Sequence, residues 1–366
     1  MRVERLLLAA AGLTLYSGSA DAWIIETVGP NGQFPTINAA VNAQAAGHTY
    51  EIDVAAGTYQ NDFSVITNPT DIEAKGGLVI LQATVPNDQG IITTYATLIV
   101  NGLTISGAFT NPGAGDNAAA IRDHEDGSAN ANELLVENST IENSQDGILT
   151  AGSGNKENVT VKNTTFLNDG AGNGSTHALY VGEAASLDVE NSTFCGTNNG
   201  HDVKSRAATT TVAGSTLYIG ATGPGCASAG STGIGVDAPN GGVLKLVNDS
   251  LIQGPANTNG AMVSYGEEGV LFATNSLTAK SSFLSTANGL AIQELPTCIT
   301  PANVTGSTFS GVRAKINQPN CISGDPPADV PEPSSLWLLL TALGCCAAFL
   351  AADGRRRRAS AIAGFP

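Results

Sequence analysis

Short runs of alternating apolar and polar residues recur along this chain, and each run closes on a small polar turn. VENSTI at 136–141 returns as VKNTTF at 161–166 and as VENSTF at 189–194, with weaker copies at 100–105, 212–217, 246–251, 278–283 and 304–309. A period of two is that of a strand with one buried face. The closing apolar residues fall at 105, 141, 166, 194, 217, 251, 283 and 309, so copies lie 23 to 36 residues apart and carry insertions. One strand with its turns cannot bury its own apolar face, whereas stacked copies bury it as a continuous core. The pattern predicts a solenoid. Asn138, Asn163, Asn191 and Asn248 share one place in the copies, and Gly102, Gly214 and Gly306 hold it elsewhere. Such a column can stack as a ladder and satisfy the backbone groups of a turn. It also accounts for the N-x-S/T sequences better than glycosylation does.

A second strand follows each copy: DGILT at 146–150, HALYV at 177–181, HDVKSR at 201–206, TGIGVD at 232–237 and MVSY at 262–265. With Leu179, Val181, Val203 and Ser205 inward, alternation turns Tyr180, Lys204 and Arg206 outward, and Asp237 and Tyr265 follow on that register. Parallel neighbours stack about 4.8 Å apart, which predicts one outward polar patch. Glu267 extends the patch if its strand continues. His177 and His201 hold equivalent places on neighbouring coils, and Asp146 holds that place one coil earlier. This column either tunes an imidazole for general base work near neutral pH or is a turn ladder in which His replaces Asn. Strand parity, which points the histidines away from the Lys204 face, favours the ladder. His124-Glu125-Asp126-Gly127, in a long insertion at 111–132, can reach over the same face.

The ends read as addresses. Residues 1–22 combine Arg2 and Arg5, an apolar run at 6–15 and the small-x-small site Ala20-Asp21-Ala22, a secretory signal for the Sec translocon. An exported domain at 23–325 leads to a Pro-rich linker at 326–335, a candidate transmembrane segment at 336–352 and a basic cytoplasmic tail at 353–366. With 43 Gly, 42% hydrophobic and 13% charged residues, the composition excludes a disordered chain and speaks against a helix-rich one. A net charge of −16, rising to −18 over 23–330, argues against a nucleic-acid binder. It also counts against a polyanionic substrate unless a local basic pocket overrides it. The acidic surface suits divalent cations, calcium included, yet no calcium-loop spacing is present, so no cofactor is assigned. Four of the six cysteines lie in the exported part and allow three connectivities. Proximity in sequence favours Cys195–Cys226 and Cys298–Cys321, and no Cys/His spacing suits zinc.

The opening GPNGQFPTI at 29–37 precedes an Ala-rich amphipathic stretch at 38–46, a strand at 50–54 and AAGTY at 55–59. With the coils behind it, this opening resembles the pectate-lyase-like superfamily over about residues 27–315. That resemblance implies an all-β, single-stranded right-handed parallel β-helix with an N-terminal capping helix. It leaves activity open, because the superfamily holds lyases, hydrolases, esterases, epimerases and noncatalytic adhesins. At the other end Pro331-Glu332-Pro333, the apolar run and Arg355 to Arg358 together resemble the PEP-CTERM sorting signal of Gram-negative bacteria. This implies initial anchoring in the inner membrane, recognition by an exosortase-type peptidase and delivery to the cell surface or extracellular matrix; the bland alternative is a plain membrane anchor.

In uronide-cleaving members of the superfamily a basic side chain removes a proton beside a carboxylate that a cation or arginine neutralises. Lys204 as base and Arg206 as neutraliser fill those roles in form, with His177 and His201 as further catalytic candidates. Tyr180, Asp237, Tyr265 and Glu267 are then the substrate-binding candidates. Glu267 and Glu268, if they alternate on a strand, cannot serve one glycosidic bond, which disfavours a hydrolase. Three readings remain. The first is a monomeric surface protein that interacts with extracellular polysaccharide. The others are a lyase or epimerase acting on a uronate polymer, and a noncatalytic structural adhesin.

Overall fold

A computed structural model describes residues 22–324, apart from 86–88, 111–116, 125–131, 152–155, 287–288, 296 and 319–320. The signal sequence up to residue 21, everything from 325 onward, and most of the 111–132 insertion lie outside the described residues. Among the described residues no helix is long and apolar enough to cross a membrane.

Each coil holds three strand positions. Glu133–Glu137, Asn158–Lys162, Ser186–Glu190 and Thr209–Ala213 stack as one column. The predicted copies themselves form the second, through Thr140–Glu142, Thr165–Leu167, Thr193–Cys195 and Thr216–Ile219. Both columns belong to a 20-stranded sheet, because the early strands Tyr50–Gln60 and Thr70–Gln82 run through both. The third column is a separate 10-stranded sheet that includes Asp146–Thr150, Leu179–Val181, Val203–Ser205, Val236–Ala238 and Ala261–Tyr265. Pairing is parallel throughout these ladders.

Like side chains therefore lie above like. Ile105, Ile141, Phe166, Phe194, Leu217 and Leu251 form one fully buried inward column. The rings of Phe166 and Phe194 stack at 4.6 Å and 5°. Each such side chain contributes roughly 1.5–3 kcal/mol by burial, and the column runs the length of the solenoid. The next copy corrects the sequence reading by one residue. Leu284, fully buried, pairs with Leu251, whereas Phe283 lies opposite Ser250 and is 37% exposed. Ser281 supplies the left-handed turn there (φ 53°), so the register counts from Ser281 and not from Lys280. A slip of one exchanges the faces of a strand.

The predicted asparagine column is a column of left-handed residues. Asn138, Asn163, Asn191 and Asn248 have φ between 47° and 58°, and Gly102, Gly214 and Gly306 hold the same conformation at 64–78°. Asn163 donates to Asn138 at 3.2 Å, and Asn138 donates to Asn101 at 3.0 Å. Beside it runs a buried hydroxyl ladder that the sequence reading missed. Ser192 Oγ accepts from the Thr164 amide at 3.2 Å, and Ser215 Oγ from the Ser192 amide at 3.1 Å.

At the N-terminal end a helix, Ile37–Ala43, is started by Thr36, whose hydroxyl accepts from the Ala39 amide. The buried Asp62 carboxylate takes the amides of Ile37 and Asn38 at 2.7 and 2.9 Å, satisfying donors that a helix start leaves open. Ile37, Ala40 and Val41 are buried, and the helix contacts Ser64–Ile66, the N-terminal edge strand of the 10-stranded sheet. Cys195–Cys226 and Cys298–Cys321 are disulfides, the pairing expected from proximity, each with Cα atoms 5.5 Å apart.

Candidate functional site

Along the outer face of the 10-stranded sheet, register sets Thr93, Arg122, Leu149, Tyr180, Lys204, Asp237 and Ser264 in one row. A cleft of about 560 Å³ opens on this face, and Arg122, Asp146, His177, Tyr180, Lys204 and Arg206 are among its walls. The expected outward row of Tyr180, Lys204 and Asp237 is present. Arg206 follows the strand Val203–Ser205 and bends over Tyr180. Its Nε donates to the Tyr180 hydroxyl at 2.9 Å, and a terminal nitrogen donates to Asn240 Oδ1 at 2.8 Å. The guanidinium carbon lies 5.9 Å from the Tyr180 ring centre.

Tyr265 is not part of this row. It pairs with Ala238, the inward parity, and is fully buried in the core with its hydroxyl donating to Gly242 O. Ser264 is the outward residue of that coil. The phenol takes an inward place because a backbone carbonyl lies within its reach, the usual condition for burying tyrosine.

The strand ends at Tyr265, so Glu267 and Glu268 do not alternate on a strand. They lie in a turn after Gly266, at φ 78°. Glu267 accepts from Ser264 Oγ at 3.1 Å and is exposed. Glu268 reaches back to the cations: Oε1 is 3.3 Å from Lys204 Nζ, and Oε2 contacts the Arg206 guanidinium at 2.5 Å. The objection that the two glutamates face opposite ways does not hold. Sequence reasoning missed Glu268 as a site residue, although glycines on both sides of the pair signal a turn. It also missed Arg122, which the alternation in Ala119–Asp123 places outward beside buried Ile121.

Asp237 sits beneath this turn. Its side chain is fully buried, 3.7 Å from Lys204 Nζ and 3.6 Å from His201 Nε2, and neither oxygen has a hydrogen-bond partner. Burial pushes its carboxyl up to about 7, with Glu267 adding to the rise and Lys204 opposing it. Asp237 thus holds a proton for much of its time near neutrality.

The histidine column is a backbone ladder, and one of its rings, His177, lines the cleft. The His177 amide donates to Asp146 Oδ1 at 2.7 Å, the His201 amide to His177 Nδ1 at 3.0 Å, and the Ile234 amide to His201 Nδ1 at 3.1 Å. His177 and His201 lie two residues before the strands Leu179–Val181 and Val203–Ser205, so strand parity does not govern them. His177 stacks on His201 at 4.9 Å and on Tyr180 at 5.6 Å. Burial, with Lys204 nearby, lowers His201 to about 4, and burial together with His201 and the cations holds His177 well below the usual range. With Nδ1 accepting a backbone N–H, the proton of each neutral ring belongs on Nε2. Neither ring offers a lone pair toward the cleft. In this arrangement they donate hydrogen bonds and do not remove protons.

His124 stacks on Tyr95 at 5.0 Å and reaches Gln89 at 3.2 Å, on coils nearer the N-terminus; Glu125, Asp126 and Gly127 lie outside the described residues. Two acidic groupings lie elsewhere among the described residues. Cys298 and Cys321 beside Glu294 are tied to each other as a disulfide, and Glu51, Asp53 and Glu73 surround the Lys75 ammonium.

No protein-family model and no curated relative matches the sequence. Solved structures do. A PL6 family alginate lyase matches with a TM-score of 0.50 and 16% identity, over 87% of this chain and 41% of that one. This chain is a parallel β-helix. The β-helix spans less than half the length of that lyase, and at such identity the likeness establishes the fold alone. The pectin methylesterase of Aspergillus niger matches with a TM-score of 0.39 and 11% identity, over 86% of this chain and 91% of that one.

Proposed function

We propose that this β-helix binds an acidic extracellular polysaccharide in the cleft over the 10-stranded sheet. One observation carries the reading. The exported body has ten basic residues in a chain of strong net negative charge, and three of them, Arg122, Lys204 and Arg206, line one cleft. Clustering of scarce cations on a rigid scaffold concentrates positive potential where the rest of the surface repels anions. This is the local basic pocket that overrides the objection from overall charge. Tyr180, whose hydroxyl accepts from Arg206, adds a donor suited to a sugar hydroxyl.

A lyase or epimerase is the second reading, favoured by the side-by-side placement of Lys204 and Arg206. The base in that case is Lys204, because the imidazole Nδ1 atoms are held by backbone amides. Arg206 then offsets the charge of the uronate as its neighbouring proton leaves. A noncatalytic adhesin needs no such cleft. We further place the protein outside the cytoplasm, in keeping with its two disulfides. Export through the Sec translocon, the sorting tail with its exosortase-type peptidase, a monomeric state, a right-handed coil and a helix that caps the first turn belong to this proposal as well.

The test incubates the purified protein with uronate-containing and neutral bacterial polysaccharides, with and without calcium. Unsaturated product is followed by ultraviolet absorbance and other cleavage by new reducing ends. Retention of the uronate polymer without turnover supports a binding protein. Turnover that disappears in Lys204→Ala supports the lyase. Absence of both overturns the proposal.

A further inference from the structure

The two cations at one end of the cleft already hold a carboxylate, and it belongs to the chain itself. Glu268 places one oxygen at Lys204 and the other at Arg206, as a planar two-oxygen anion would from solution. Among the described residues, no other ion pair reaches Arg206. The pairing holds Glu268 below its ordinary range, so it stays anionic near neutral pH. Its side chain is 39% exposed and reaches Lys204 from 64 residues further along the chain.

The backbone beneath it is pinned. The Glu268 amide donates to Pro239 O at 2.9 Å, and the Gly269 amide donates to Gly266 O at 3.0 Å. Rotation of the glutamate side chain alone therefore uncovers both cations, with the turn left in place. Asp237, the other carboxyl beside Lys204, is fully buried and cannot swing out in the same way.

We propose that Glu268 is an internal competitor, and that Lys204, Arg206 and the Tyr180 hydroxyl form a subsite for a uronate carboxylate that binds by displacing it. The idea rests on the polysaccharide-binding reading and narrows it: the ligand must carry a carboxylate able to span both cations. A neutral sugar cannot replace the charge that Glu268 withdraws.

Affinities of the full-length protein for polygalacturonate, alginate and neutral dextran, measured by titration calorimetry, test this. Exposed, salt-screened pairs are modest in strength, so Glu268→Gln is expected to bind the uronate polymers about three- to tenfold more tightly, with dextran unaffected. Glu268→Ala shifts affinity in the same direction. Glu190→Gln, which removes the same charge from the other sheet, controls for net charge and leaves affinity within about twofold. Uronate binding by wild type that is unchanged or weaker in both Glu268 variants overturns the competitor and leaves the binding reading intact. No uronate binding by wild type or either Glu268 variant, with melting temperatures preserved, overturns both.

Discussion

Asp237→Asn tests whether the buried carboxyl under the cleft is held as a neutral acid. The folded protein raises this group from 3.8 to about 7, and burial is the leading cause. A raised acid pKa means that the unfolded chain ionises first. The penalty is absent below about pH 4, grows as pH rises between the two values, and levels off above about pH 7. From those two pKa values the charge lowers folded-state stability by about 2 kcal/mol at pH 5 and about 4 kcal/mol at pH 8. Asparagine keeps the shape and never ionises. The stability of Asp237→Asn relative to wild type should therefore rise by roughly 2–3 kcal/mol between pH 5 and pH 8. Denaturant unfolding of both proteins at the two pH values, disulfides intact, gives this difference. Other raised acids such as Asp249 and Asp202 titrate in both proteins and cancel. A difference that stays constant, or that turns against the variant at pH 8, would show that Lys204 and His201 hold an ionised Asp237. The account of a proton stored there would then fail.

Other substitutions probe the scaffold and the ladder. Phe194→Ala removes half of the stacked ring pair from a fully buried column and should lower unfolding free energy by about 3–5 kcal/mol in denaturant titration. Asn163→Ala forces a Cβ residue without a local hydrogen bond into the left-handed turn and should destabilise by about 1–2 kcal/mol, whereas Asn163→Gly stays near wild type. Cys195→Ser opens a 31-residue loop. It should lose about 3–4 kcal/mol under oxidising conditions and match wild type once both are reduced. His201, lowered to about 4, should remain neutral with its proton on Nε2 from pH 5 to 8. Nitrogen chemical shifts check this, and a titration near 6.5 contradicts the ladder.

How much of this was legible in the chain follows from the range of each interaction. The asparagine turns and the stacked strands depend on residues that repeat at nearly the same offset, so comparison between copies finds them, and both disulfides join neighbouring cysteines in the sequence. The row of Tyr180, Lys204 and Asp237 follows from alternation with their inward neighbours, Leu179 and Val181, Val203 and Ser205, and Val236 and Ala238. Tyr265 broke the rule of polar-outward placement because its hydroxyl meets the carbonyl of Gly242, a contact between coils that no local pattern contains. Phe283 stands where the repeat pattern expects the buried Leu284, because a serine, Ser281, supplies a turn that asparagine or glycine marks elsewhere. Glu268 lies 64 residues from Lys204, and its role depends on the path of a turn. The histidines were readable as a ladder. That His177 also lines a cleft depends on where the chain before its strand places it.

The central claim is that the cations of this cleft hold an acidic polysaccharide. It is tested most directly by the affinity of the protein for a uronate polymer when those cations are removed. Wild type should bind with an affinity that falls as salt rises, and Arg122→Ala, Lys204→Ala and Arg206→Ala should each weaken binding while melting temperature is preserved. Removal of Lys245, a lysine on the other sheet, should leave affinity unchanged. Equal weakening by Lys245→Ala and by the three cleft variants would mean that charge alone attracts the polymer, and that the cleft is not its site.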